Sequence, residues 1–344
     1  MTTTPLQWGI LSAGHIARKF AVDLQSSRSN RLVAVASRHE ADAAAFASAF
    51  GGVRAHGSYA ALLADPAVQA VYIGTLHPWH AEWAIEAARA GKHVLCEKPL
   101  ALNLADAQRM IEAARDHGVL LMEAFMYRFH PQTLKIAELV RTGQVGEVRV
   151  IRASFNFAAD FDPGHRLFNK GLGGGAILDV GCYPMSFARL IAGQASGRTF
   201  ANPTALHGVG RIHPVAQTDE FASAVARFPG GVLAELSCGT TILDDQSAQI
   251  YGTDGWIDVP TPFLPGQGGR DEVIWLHKRG NAVPEKIAID HLAHGLYTYE
   301  ADAVAEAVAR GATEVPAMTW ADTLGNIAAL DTWRQAVGVR YEGE

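Results

Sequence analysis

From the amino end, short apolar runs alternate with stretches of helical periodicity. Trp8-Gly9-Ile10-Leu11 is the first run, and a helix extends from there to Leu24. Leu32 to Ala36, Ala70 to Ile73, Val94 to Cys96 and Val119 to Met122 are further runs of strand length. The segments Glu40 to Phe50, Tyr59 to Leu63, Ala81 to Ala90 and Asn103 to His117 lie between them and read as helices. Asn103 is a natural N-cap, while Gly91 and Gly118 sit where C′ glycines end helices. Strands alternating with helices predict an open parallel sheet of the α/β class.

The texture changes from Glu147. Val148 to Phe157, Phe221 to Phe228, Val232 to Cys238 and Ser247 to Tyr251 read as longer strands, with Pro229-Gly230-Gly231 as a hairpin connection. This predicts a second, α+β domain built on a large, mainly antiparallel, open-faced sheet. The boundary falls after Phe125, giving domains 1–125 and 126–344, with helix Gln132 to Arg141 as the bridge. Helices Tyr299 to Ala309 and Ala321 to Val337 close the chain. A sheet with one uncovered face commonly buries it in a second copy, so a homodimer or homotetramer is expected.

Composition narrows the class. A chain of 344 residues is too long for one ordinary core. With 49% hydrophobic and 19% charged residues it reads as a soluble globular protein, and a net charge of −6 offers no footprint for nucleic acid. No apolar run approaches the ~18 residues of a membrane span. Met1 to Gln7 has neither a basic start nor an apolar core of the kind a secretory signal carries. Cys96, Cys182 and Cys238 form no CxxC pair and read as reduced thiols, so the expected compartment is the cytoplasm.

Candidate chemistry collects at strand ends, where open α/β sheets hold ligands. Ser12-Ala13-Gly14-His15-Ile16-Ala17 follows the first strand and places Ser12, Gly14 and Ala17 at the key positions of the dinucleotide fingerprint GxGxxG/A. Gly14 lets backbone approach a pyrophosphate at a helix start, while Ser12 in place of the first glycine weakens the match. Ser37-Arg38 ends the second strand; a hydroxyl and a guanidinium suit the 2′-phosphate of NADP, whereas nearby Glu40 keeps NAD open. Thr75-Leu76-His77-Pro78-Trp79-His80 forms a further loop that would touch the cofactor. The HxxH pair His77 and His80 has no third ligand in register, so no metal is expected. Glu97-Lys98-Pro99 ends the strand from Val94, and a lysine there suits catalysis better than solvation. In the second half, Gly173-Gly174-Gly175 precedes Asp179 and Tyr183, which are four apart and share a face if helical. Pro184 implies a helix start or kink there. Three glycines in that turn would allow close approach by substrate or cofactor.

These segments, with Glu123 to Pro131 around Arg128, resemble in order and spacing the glucose–fructose oxidoreductase / inositol dehydrogenase / rhizopine-catabolism family (Gfo/Idh/MocA) over essentially the whole chain. The resemblance implies a Rossmann domain followed by an open-faced α+β domain. It implies hydride transfer between NAD(P) and a sugar, polyol or diol hydroxyl carbon. Tyr183, where many inositol dehydrogenase-like members carry histidine, is similar to the branch holding NADP-dependent aldose 1-dehydrogenases and dimeric dihydrodiol dehydrogenases. An aldose 1-dehydrogenase giving a lactone heads the expectations, with a keto-sugar reductase, a trans-dihydrodiol dehydrogenase and a noncatalytic NADP(H) sensor as alternatives. Carried over, the resemblance makes Lys98, Asp179 and Tyr183 catalytic. Ser12, Ala13, Gly14, His15, Ile16, Ser37, Arg38, Thr75, Leu76, His77, His80, Glu97, Lys98 and Arg128 would contact the cofactor. Tyr183 would take the hydroxyl proton with Lys98 assisting, or the two roles are exchanged.

Overall fold

The computed structural model describes residues 4–269, 272–289 and 294–341. They fall into two compact units, Met1–Phe129 with Leu292–Thr323, and His130–His291 with Leu324–Glu344.

In the first unit the elements alternate as the apolar runs predict: β1 (Leu6–Leu11), α1 (His15–Leu24), β2 (Asn30–Ala36), α2 (Glu40–Ser48), β3 (Arg54–His56) and α3 (Tyr59–Leu63). They continue with β4 (Ala70–Ile73), α4 (His80–Arg89), β5 (His93–Glu97), α5 (Leu104–Asp116) and β6 (Leu121–Ala124). The strands pair in parallel in the order β3-β2-β1-β4-β5-β6. The order reverses between β1 and β4, the switch point at which such sheets open a ligand crevice. Local chemistry sets the helix ends. The Asn103 side chain accepts from the Asp106 amide at 2.9 Å, and Gly91 and Gly118 take the left-handed conformation at helix ends.

The second unit contains α6 (Pro131–Arg141), β7 (Val148–Ala158), α7 (Cys182–Ala195), β8 (Ala205–Ile212), β9 (Asp219–Arg227), β10 (Leu233–Gly239) and β11 (Thr241–Gly252). β12 (Gly255–Val259), β13 (Val273–Lys278) and β14 (Glu285–Ala288) complete an eight-stranded sheet ordered β14-β13-β12-β11-β7-β10-β9-β8. Only the β7–β10 pairing is parallel among its ladders. α7 packs on β7 and β10 and is buried from Cys182 to Gly193. In β9, Ala222, Ala224 and Ala226 point inward, whereas Ser223, Val225 and Arg227 point to the uncovered face. A groove of about 650 Å³ on that face is lined by Arg152, His207, Ser223, Val225 and Glu235 among others. Arg152 and Glu235 pair across it at 2.6 Å.

α8 (Leu296–Ala309) and the start of α9 (Trp320–Val337) belong to the first unit, which differs from a single cut after Phe125. The reason is specific bonding. The Asp23 carboxylate accepts from the Tyr297 amide at 3.0 Å, and Asn30 donates to Asp302 at 2.7 Å. Trp320 Nε1 donates to the Leu121 carbonyl at 3.0 Å.

Candidate active site

The parallel ladder fixes where the first unit presents its chemistry. Ala36, Leu11, Ile73 and Cys96 lie in one transverse row, so Ser37, Ser12, Gly74 and Glu97 leave the sheet together along one edge. At β1, Ser12 has φ 102°, a value side chains seldom adopt, and its Oγ accepts from the Gly14 amide at 3.2 Å. Gly14 is the N-cap of α1, with no side-chain cap, and the first turn holds no acidic residue. Neither the cap nor the first turn supplies a side chain that meets the positive end of that helix. A Cβ on Gly14 would meet only Ser12 Oγ, at 3.3 Å, so the protein itself leaves room there. Ala13 and Ile16 are half-buried and His15 is exposed. Ala17 is buried, and a Cβ on Gly74 would lie 3.7 Å from its own Cβ and 3.4 Å from Ile16 Cγ2. This is the tight helix–strand approach that the third fingerprint position serves.

At the end of β2, Ser37 is buried and its Oγ accepts from the His39 amide at 3.3 Å. Arg38 is exposed with its guanidinium 5.6 Å from the centre of the Trp79 ring, and no carboxylate pairs with it among the described residues. Thr75 Oγ1 is buried without a hydrogen-bond partner among the described residues, an orphan beside half-buried Leu76 in the loop after β4. His77 is buried, its ring 5.7 Å from that of His80.

Lys98 is half-buried, the Lys98–Pro99 peptide is cis, and the Lys98 amide donates to Glu97 Oε2 at 3.2 Å. The other Glu97 oxygen accepts from the Tyr72 hydroxyl. His80 is fully buried with its ring nitrogens 3.0 Å from the Pro99 carbonyl and 3.1 Å from the Thr75 carbonyl. Burial lowers its pKa, the Lys98 charge adding to the effect. His80 thus fastens the loop after β4 to the loop after β5. Arg128 is likewise engaged within the protein, donating to Asp322 at 2.8 Å and to the Ala317 carbonyl at 3.0 Å, with both side chains of the pair buried. Helical periodicity gave no sign of Glu300. It is fully buried with neither oxygen bonded among the described residues, and burial followed by the charges of Glu97 and Asp23 raises its pKa well above the usual range.

In the second unit Asp179 lies in a π-helical turn, Ile177–Gly181, and α7 begins at Cys182. Pro184 has no amide to give to Val180, which fits a change of winding where the sequence implied a start or kink. Asp179 is buried and accepts from Arg166 Nη1 at 2.8 Å, a partner the spacing did not reveal. Tyr183 is buried, its ring 5.1 Å from Phe155 and 5.5 Å from Phe263, while those two rings stack at 5.4 Å. The glycine-rich turn serves the protein's own packing. A Cβ on Gly174 would sit 2.5 Å from the Arg166 carbonyl oxygen, and one on Gly175 would sit 2.3 Å from Asp219 Oδ1. Close approach by substrate or cofactor is not what removes those side chains.

Residues 6–125 match the family profile described as Gfo/Idh/MocA oxidoreductases with an NAD-binding Rossmann fold, and residues 133–258 match the C-terminal domain of the same family. The chain belongs to the Gfo/Idh/MocA family. Among curated Gfo/Idh/MocA relatives, trans-1,2-dihydrobenzene-1,2-diol dehydrogenase of Danio rerio is 36% identical over 344 residues, covering 98% of each chain. The mouse (Mus musculus) enzyme of that name is 34% identical over 340 residues, again covering 98% of both. Among solved structures, KijD10, a 3-ketoreductase from Actinomadura kijaniata in complex with NADP and TDP-benzene, superposes with a TM-score of 0.85 at 29% identity, over 97% of this chain and 98% of that one. An aldose–aldose oxidoreductase from Caulobacter crescentus, at 24% identity and a TM-score of 0.86 over 97% of each chain, shares the fold.

As a Gfo/Idh/MocA protein the chain is an NAD(P)-dependent oxidoreductase. Its first unit fits a nicotinamide dinucleotide on its own geometry. Gly14 leaves open space at an uncapped helix start, and Thr75 Oγ1 awaits a hydrogen-bond partner. Among the described residues no helix is long and apolar enough to cross a membrane, and no cluster of His, Cys, Asp and Glu has the makings of a metal site.

Proposed function

We propose that this oxidoreductase oxidises one hydroxyl of a small molecule carrying neighbouring hydroxyls, using NADP in preference to NAD. An aldose oxidised at its first carbon to a lactone is the first substrate class. The observation that carries the cofactor preference is Arg38, exposed at the end of β2 with an aromatic ring and, among the described residues, no carboxylate paired with it. It can meet the 2′-phosphate, with Ser37 at the same strand end. When bound, the nicotinamide accepts or returns a hydride at its C4. Tyr183, as the phenolate favoured by the positive charge of Lys98, receives the hydroxyl proton at its phenolic oxygen, and Lys98 hydrogen-bonds the reacting oxygen through its amine. Asp179, with Arg166 on it, orients a substrate hydroxyl.

A trans-dihydrodiol is the second substrate class. The Phe155 and Phe263 rings around Tyr183 suit a flat carbocycle. Relatives 31–36% identical over nearly their full length carry that activity in their name. Keto-sugar reduction is the same chemistry in reverse. A homodimer or homotetramer through the uncovered face is part of this reading, supported by exposed Val209, Val225 and Leu233, as is a cytoplasmic setting for three buried cysteines that form no disulfide with one another.

NADPH absorbance on a panel of aldoses, polyols and trans-diols, repeated with NAD, tests the function. Wild type should favour NADP by about 10- to 150-fold in kcat/KM, the worth of a charge-assisted contact. Arg38→Ala should lose most of that preference with little change for NAD. Equal losses for both cofactors would remove Arg38 from phosphate recognition. Dinucleotide binding without turnover on the whole panel would leave a redox sensor. Light scattering that finds a fully active monomer would remove the oligomer.

A further inference from the structure

Asp219 takes no part in the hydride chemistry, yet it is built into the turn that leads to Asp179. It opens β9 with its side chain 1% exposed. Oδ2 accepts from the Ile177 amide, the first residue of the π-helical turn, at 2.6 Å. The Ala176 amide also favours its charged form. Oδ1 has no hydrogen-bond partner among the described residues and fills the space left by the missing side chain of Gly175, whose φ is 123°. Gly174, one residue earlier, is held through its carbonyl by the Tyr341 hydroxyl at 2.5 Å. The turn is therefore fastened from one side by Tyr341 and from the other by Asp219.

We propose that Asp219 is a positioning residue: its carboxylate clamps the start of the π-helical turn and so sets the placement of Asp179 and, one turn on, Tyr183. The groups that face it are Arg334 from α9 and Cys238 from β10, with the Tyr341 hydroxyl beside Gly175; its neighbour Glu220 is engaged by Arg211 at 3.0 Å. Arg334 favours the charged carboxylate, but burial outweighs it and pushes the carboxyl up to about 6. Protonation removes the negative charge that sets the Ile177 and Ala176 amides, so the placement of the turn should change near pH 6. The folded turn binds this proton more tightly than an opened one, so acid does not open it and opening becomes easier as pH rises through about 6. Asparagine at this position keeps an acceptor for one amide and has nothing to titrate.

The inference rests on the reading that Asp179 and Tyr183 serve the reaction, so two measurements are paired. In wild type, kcat should fall with a slope approaching tenfold per pH unit below about pH 6, with KM for NADP little changed. In Asp219→Asn that limb should vanish, at a kcat lowered several-fold near pH 8. Hydrogen exchange of the peptide covering 175–183, corrected for intrinsic chemistry, should quicken in wild type as pH rises through about 6 and show no such step in Asp219→Asn. An unchanged acid limb in Asp219→Asn overturns the proposal even if the variant is less stable, because that marks a merely structural role. The same exchange step in both proteins overturns it too. Where wild type turns over nothing on the substrate panel, the functional reading fails by itself and exchange alone decides the clamp.

Discussion

Two glycine-bearing turns invite the same reading and differ in kind. In the turn after β1, a Cβ on Gly14 would touch only Ser12 Oγ, and the helix start beyond it is uncapped. In the turn before α7, Gly174 and Gly175 press on the Arg166 and Leu167 carbonyls and on Asp219. The first glycine keeps space for something outside the chain; the second pair gives space to the chain itself. A glycine marks a close approach in both cases, and only the surroundings say what approaches.

The largest expected effect tests whether both regions serve one reaction. Lys98→Ala and Tyr183→Phe should each lower kcat by roughly 10²-fold or more, and the double variant should lose much less than the product. Near-normal turnover by either single variant would remove that residue from the chemistry. Next comes Gly174→Ala, whose methyl meets two backbone carbonyls that cannot yield. Stability should fall by about 1–3 kcal/mol in urea unfolding, with NADP affinity unchanged in the folded protein. Gly14→Val should do the opposite, leaving the urea midpoint alone while weakening NADP about tenfold in a fluorescence titration. A fall in stability equal to that of Gly174→Ala would erase the distinction between the turns. The smallest effect belongs to Ser12→Gly. Relief of its φ of 102° should raise stability by about 1 kcal/mol or less, against the lost bond to the Gly14 amide. A net loss would mean that the bond outweighs the strain.

Much of this was legible in the residues. The apolar runs gave β1, β2, β4 and β5 closely because strands buried on both faces must be apolar throughout. β8 escaped notice because it carries Gly208, over which Trp333 of α9 packs so closely that a Cβ would lie 2.6 Å from the ring. His80 and Arg128, which follow strand ends and invite a reading as ligand contacts, also bond other parts of the protein. Residue type and position do not say where a ring nitrogen or a guanidinium finds its partner. Asp219 and Arg166 were missed for the same reason, since their partners lie 42 and 13 residues away in sequence.

The membership of α8 in the first unit carries a consequence for how the protein comes into being. A ribosome releases β1 to β6 first, then every strand of the second unit, and only afterwards the helix that covers α1 and bonds Asp23 and Asn30. Until then the nascent Rossmann sheet lacks one of its walls, and its exposed apolar flank is what chaperones recognise. Segments of the two units alternate along the chain, so the part made earliest is finished nearly last. A premature stop beyond the second sheet would leave every strand of both sheets translated and still deprive the cofactor domain of its closing helix.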